Sequence, residues 1–163
     1  MEQGLTAAER QYVLFRLRGE EYGLPITAVQ SIVRYEEPTP VPRAPEGVDG
    51  VFSLRGQVMA LVDFGRRLAG DPMTPTLLSR VIVAETPLGP VGLAVDSVTE
   101  VANIQTADIR ETPQAALSAE WADAYEGVVT HGDRLIMLLD PEKTLPKPVF
   151  AGSGAAKEED GDV

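Results

Sequence analysis

The chain is expected to be mostly β, built as two similar halves that each form a small five-stranded barrel and close with a short helix. Three observations predict this. Fifteen Gly and thirteen Pro punctuate short runs of Val, Ile and Leu across 163 residues, the pattern of many strands joined by turns. Second, the chain matches itself. At a shift of 69 residues the segment Tyr22-Gly23-Leu24 through Ile32 lies over Val91-Gly92-Leu93 through Val101, and Tyr12-Val13-Leu14-Phe15 lies over Val81-Ile82-Val83-Ala84. Third, each half ends in an aliphatic run closed by an aspartate, Leu61-Val62-Asp63 and Leu138-Leu139-Asp140, each Asp standing 13 residues after a Gly-Val pair, Gly50-Val51 and Gly127-Val128. Five strands are too few for a sandwich, but closing them into a barrel removes exposed edges.

The elements follow in order. Residues 1–10 are polar and are expected to be flexible, with no apolar stretch of the secretory kind. The first strand carries Phe15 and Leu17 alternating with Arg16 and Arg18, which predicts one face in the core and one in water. Tyr22 to Ile26 supplies the second strand of a hairpin, and the same hairpin recurs 69 residues later. Asp63 before Phe64-Gly65-Arg66-Arg67-Leu68 and Asp140 before Pro141-Glu142-Lys143-Thr144-Leu145 read as helix N-caps, the second with proline at the first helical position. The shift grows from 69 to 77 between the halves, so about eight extra residues are expected between Thr112 and Tyr125, where a loop tolerates them. Leu117, Trp121 and Tyr125, spaced by four, suggest a helical turn there. Thr130-His131-Gly132-Asp133 has the composition of a tight hairpin, with His131 exposed. The expected organisation is thus a first barrel over about 11–70, a second over about 78–146, and an acidic, disordered tail over 147–163.

Composition excludes several function classes. The formal charge of −11 opposes binding to phosphate backbones, so no nucleic-acid partner is expected. Cysteine is absent and there is a single His, which leaves no thiolate or imidazole metal site, and suits a reducing cytoplasm. The aliphatic run Leu135 to Leu139 is far shorter than the roughly 20 residues that span a bilayer; it reads as a buried strand, and no direct membrane insertion is expected. Asp63-Phe64-Gly65 spells the magnesium-binding tripeptide of protein kinases, without the phosphate loop, lysine or catalytic loop that chemistry needs. The paired Asp63 and Asp140 resemble the disposition of aspartic proteases, but Phe64-Gly65 and Pro141-Glu142 follow them where that family has a small hydroxyl residue and Gly. No catalytic, cofactor-binding or metal-binding residue is assigned, and no cofactor is expected.

The residues resemble a known family. Tyr22-Gly23-Leu24-Pro25-Ile26 through Val29 and Ile32 is similar to the start of CheW domains; Thr39-Pro40-Val41-Pro42, Pro45, Val48, Gly50-Val51, Leu54-Arg55-Gly56 and Val62-Asp63 continue the match. It then runs through Val91 to Val98 and closes with Gly127-Val128 and Leu138-Leu139-Asp140, covering residues 11 to 146. The resemblance implies two SH3-like five-stranded barrels and a non-enzymatic adaptor. It implies as partners the regulatory domain of a CheA-type histidine kinase and the cytoplasmic tip of a chemoreceptor, met in arrays at the inner face of the membrane. It also places the interface. Arg55, with Leu54 and Gly56, matches the family's coupling arginine turn, whose guanidinium could fork to a partner carboxylate or simply be solvated. Val29 and Ile32, flanking Ser31, match aliphatics that line the receptor groove or, alternatively, pack in the core. The family's Asn is Ser53 here, its acidic residue between the aliphatics is Ser31, its strand Pro is Ala60, and Phe64-Gly65 replaces a Leu-Arg pair. These departures suggest a pathway other than swimming chemotaxis. A barrel module binding proteins outside chemosensing is the competing reading.

Overall fold

The computed structural model describes residues 8–118 and 123–145. Ten strands make two antiparallel-dominated sheets: β1 (Glu9–Leu17), β2 (Glu20–Pro25), β3 (Val29–Arg34), β4 (Val48–Leu54), β5 (Gln57–Asp63), β6 (Arg80–Thr86), β7 (Gly89–Val95), β8 (Ser97–Gln105), β9 (Tyr125–His131) and β10 (Arg134–Leu139). Helix α1 (Phe64–Ala69) follows β5 and helix α2 (Pro141–Thr144) follows β10. One sheet has the order β8-β1-β2-β10-β9 and the other β3-β6-β7-β5-β4.

This order corrects the expected division into barrels over 11–70 and 78–146. Each sheet takes the leading hairpin of one half and the three remaining strands of the other, joined by parallel pairing of β2 with β10 and of β5 with β7. The exchange is reciprocal, so strands related by the shift occupy equivalent places in the two sheets. Self-comparison identifies equivalent strands but cannot distinguish pairing within a half from pairing across halves, because both give the same list of equivalences.

The duplication itself extends to single contacts. Thr39 bridges Val51, and Arg110 bridges Val128. Asp63 N–H donates to the Gly47 carbonyl at 3.0 Å, and Asp140 N–H to the Ala124 carbonyl at 2.9 Å. Arg110 lies 71 residues after Thr39, so two of the eight extra residues precede it and the other six fall between Arg110 and Val128.

Three apolar clusters hold the molecule. Tyr12, Leu14, Ala102, Ile104, Val129, Ile136 and Leu138 fill one barrel; Phe52, Met59, Leu61, Val81, Val83 and Ala94 fill the other. The largest cluster lies between them and includes Val13, Phe15, Leu17, Phe64, Ile82, Leu93 and Leu139. Phe15 stacks on Tyr22 at 5.9 Å and meets Phe64 at 5.8 Å. At about 1.5–3 kcal/mol for each fully buried large side chain, this shared core binds the barrels into one body. It also corrects the reading of the first strand as half buried. Tyr12 to Phe15 are all buried, Tyr12 and Leu14 inside the barrel and Val13 and Phe15 in the shared core; from Tyr12 to Leu17 only Arg16 is exposed.

Both caps form as expected. Asp63 accepts from Arg66 N at 3.0 Å and from Met73 N at 2.7 Å, and Asp140 accepts from Glu142 N at 2.9 Å. Of the helical turn expected through Leu117, Trp121 and Tyr125, the middle, with Trp121, lies outside the described residues; before it Gln114–Ala116 is a 3-10 turn, and after it Tyr125 opens β9. At the N-terminus Glu9 and Arg10 differ from the expectation, since β1 begins at Glu9, which pairs with Gln105; residues 1–7 lie outside the described residues. The tail, 147–163, lies outside the described residues.

Candidate protein-interaction surface

Strand β3 is an edge strand, and a bulge gives it an unusual presentation. Val29 sits opposite Ala84, Ser31 opposite Val83 and Ile32 opposite Ile82, with the register shifting between Val29 and Ser31. Directly opposed residues share a face. Ala84 and Ile82 belong to the shared core and Val83 to the barrel interior, so Val29 and Ile32 face the seam between the barrels while Ser31 faces inward. Residues three apart on a regular strand point to opposite faces; the extra residue at the bulge brings these two together. Val29 is half-buried against the shared core, and Ile32 is 37% exposed.

The other half repeats this arrangement. On β8, Val98 sits opposite Phe15, Glu100 opposite Leu14 and Val101 opposite Val13, with a register shift between Leu14 and Phe15. Val98 packs on the shared core and Val101 is 48% exposed. These two residues were not among the expected interface positions, although the 69-residue shift superposes them on Val29 and Ile32.

The Arg55 turn closes the hairpin of β4 and β5. Leu54 pairs with Gln57, and the two residues between them have left-handed backbones, Arg55 at φ 53° and Gly56 at φ 81°. Two left-handed residues make the tight turn whose twist suits a hairpin, and Gly56 adopts that conformation without strain. Leu54 packs against the barrel interior. Arg55 is exposed and makes no ion pair or side-chain hydrogen bond among the described residues. Arg18 makes an instructive contrast, at φ 55° before Gly19 in the β1–β2 turn. Its N–H donates to Asp96 Oδ2 at 2.7 Å and its guanidinium lies 3.6 Å from Oδ1. Arg18 is held within the molecule; Arg55 is presented outward, on the sheet whose other edge is β3.

The charge missing at Ser31 appears at its counterpart, Glu100. Glu100 accepts from Arg134 Nη2 at 2.6 Å, and this hydrogen bond holds its carboxyl below the usual range. Arg134 Nη1 also donates to Glu21 Oε2 at 3.2 Å, and Thr99 Oγ1 donates to the same oxygen at 2.9 Å, which satisfies a carboxylate only 6% exposed. His131, half-exposed at the end of β9, lies 3.6 Å from Glu100. Thus a network of Glu21, Thr99, Glu100 and Arg134 stiffens the polar end of one barrel, and the other barrel has Ser31 and Gln57 at the equivalent places. No cluster of His, Asp and Glu suited to a metal ion occurs among the described residues.

Comparison with known proteins agrees with this geometry. The family model described as CheW-like domain matches residues 11–149. The chemotaxis protein CheW of Rhizobium meliloti is 36% identical over 142 residues, covering 87% of this chain and 91% of that protein. That of Klebsiella aerogenes is 30% identical over 142 residues, covering 87% and 85%. The crystal structure of the scaffolding protein TtCheW from Thermoanaerobacter tengcongensis superposes with a TM-score of 0.71 at 29% identity, over 80% of this chain and 84% of the other. The duplicated barrels, the Leu54-Arg55-Gly56 turn and the matched length have one reading: the chain belongs to the CheW-like domain family.

Proposed function

We propose that this protein is a non-enzymatic adaptor that couples chemoreceptors, through their cytoplasmic tips, to the regulatory domain of a CheA-type histidine kinase. It works in the cytoplasm, recruited to receptor arrays at the inner face of the membrane. The observation that carries this reading is the paired presentation of Ile32 and Val101 on the edge strands flanking the shared core, in a chain that matches chemotaxis CheW over 87% of its length. Exposed aliphatics at a seam between rigid bodies suit the apolar centre of a protein contact, and the seam would take the receptor tip. Arg55, left-handed and outward, would supply a guanidinium to the kinase domain. No helix among the described residues is long and apolar enough to cross a membrane.

Calorimetric titration tests this, using the kinase regulatory domain and a receptor cytoplasmic fragment as separate ligands. Wild type is expected to bind both at about micromolar strength. Ile32→Arg and Val101→Arg should weaken receptor binding about tenfold or more, and Arg55→Ala should weaken kinase binding by a similar factor. Wild type binding neither fragment would leave a barrel pair recruited outside chemosensing. From the substitutions at Ser31, Ser53 and Ala60 we infer a pathway other than swimming chemotaxis; restored swimming in an array lacking its own adaptor would count against that specialisation.

A further inference from the structure

Beside the β1–β2 turn lies a pocket of about 330 Å³ lined by Arg16, Arg18, Thr74, Thr76, Leu78 and Ser97, together with Asp96. Asp96 is committed to Arg18, whereas Arg16 is exposed and joins no ion pair among the described residues. Leu77 is 96% exposed and Leu78 65% exposed. They are not loosely held. Thr76 N donates to Ser79 Oγ at 2.8 Å, Leu78 N to Thr76 Oγ1 at 3.1 Å, Ser79 N to the Thr76 carbonyl at 3.1 Å, and Arg80 Nη1 to the carbonyls of Leu77 and Ser79 at 3.0 and 2.8 Å. A braced turn therefore presents two leucines near a cation that is unpaired among the described residues, on a chain whose formal charge is −11.

The chain carries a segment of complementary chemistry. Residues 146–163 contain the apolar pair Val149-Phe150 and then Glu158, Glu159, Asp160 and Asp162. The point from which this segment departs is linked to the pocket through α1. Leu145 is buried in the shared core, and Arg67 on α1 donates to the Thr144 carbonyl at 2.6 Å and to the Leu145 carbonyl at 3.4 Å. Two residues earlier on that helix, a Cβ added to Gly65 would stand 2.7 Å from Arg18 Nη1, and Arg18 lines the pocket. Glu158 follows Leu145 by thirteen residues, enough to span roughly 45 Å when extended. Tethering of this kind raises the local concentration of a weak ligand to about the millimolar range.

We infer that residues 146–163 are the ligand of this surface, Val149 and Phe150 lying on Leu77 and Leu78 and the carboxylates facing Arg16. The contact is intramolecular, and it shields an aliphatic and cationic surface from acidic partners. Because the chain has no cysteine, Gly161→Cys gives a single site for a nitroxide label in the full chain, with all four tail carboxylates kept. At low salt the amides of Thr74, Thr76, Leu77, Leu78, Asp96 and Ser97 are expected to lose about half or more of their intensity relative to the other strands. Raising salt to about 0.5 M, or introducing Leu77→Ser with Leu78→Ser, should restore it. No loss at low salt, or loss spread evenly over the surface, would overturn the inference. Loss that persists at the expected size when label and isotope sit on different molecules would also overturn it, by making a second copy the occupant.

Discussion

Gly50 and Gly127 show how a single residue can carry the geometry of a barrel. Gly50 has φ 151°, and a Cβ there would overlap the Thr39 carbonyl; at Gly127 a Cβ would stand 2.6 Å from the Arg110 carbonyl. Both carbonyls belong to the bridges that bring the β3 and β8 extensions back to β4 and β9. Gly127→Ala should therefore lower stability by about 3 kcal/mol, read as a shifted urea midpoint, while Gly132→Ala at the open β9–β10 turn should cost clearly less. Tyr12 makes a second residue-scale prediction. Burial and its hydrogen bond to Glu126 at 2.6 Å push its phenol up to about 12. An unfolded tyrosine ionises near about 10, so Tyr12 contributes stability that is fully present below that pH and lost as pH rises to about 12. Wild type should thus lose more stability between those pH values than Tyr12→Phe, as measured by denaturant titration at each pH. The glycines were legible in the sequence as repeated Gly-Val pairs, but their reason was not, because the carbonyls they admit come from loops that carry no periodic signal.

At the scale of the element, the two helix caps differ in a testable way. Asp63 holds Arg66 N and Met73 N, so it both starts α1 and ties down the chain leaving it, whereas Asp140 accepts a single amide from Glu142. Asp63→Ala should cost about 1–2 kcal/mol and Asp140→Ala less, with thermal unfolding as the measure. Strands, hairpins and caps could be read in advance because each depends on neighbours in sequence: turn glycines, alternating aliphatics, an aspartate before a helical run. The bulges in β3 and β8 could not, since one extra residue leaves no mark in a short aliphatic pattern. They decide the site nonetheless, by turning Val29 with Ile32 and Val98 with Val101 to the same face. Likewise the burial of β1 on both sides depends on the second barrel behind it, and a strand read alone reveals only the polar residue at its end.

For the whole molecule, the exchange of hairpins means that neither sequence half contains a barrel. Cutting the chain between the halves should leave each fragment without a compact monomeric state, while mixing the two should restore the native far-ultraviolet spectrum; a fragment that folds alone as a monomer would contradict the topology. The intact chain should unfold in one transition, because the shared core fails with either barrel.

The same exchange bears on ancestry. A half that donates its hairpin and receives another is self-complementary, so a half-length forebear could have folded as a twofold homodimer before its gene was doubled and fused. The present halves have since ceased to be interchangeable. Phe15 and Ala84 occupy equivalent strand positions in one shared core, a large side chain in one copy answered by a small one in the other. Two first halves would crowd a second phenylalanine into that space, and two second halves would leave a void. Divergence after fusion has made each half a fitted mate for the other and a poor one for itself.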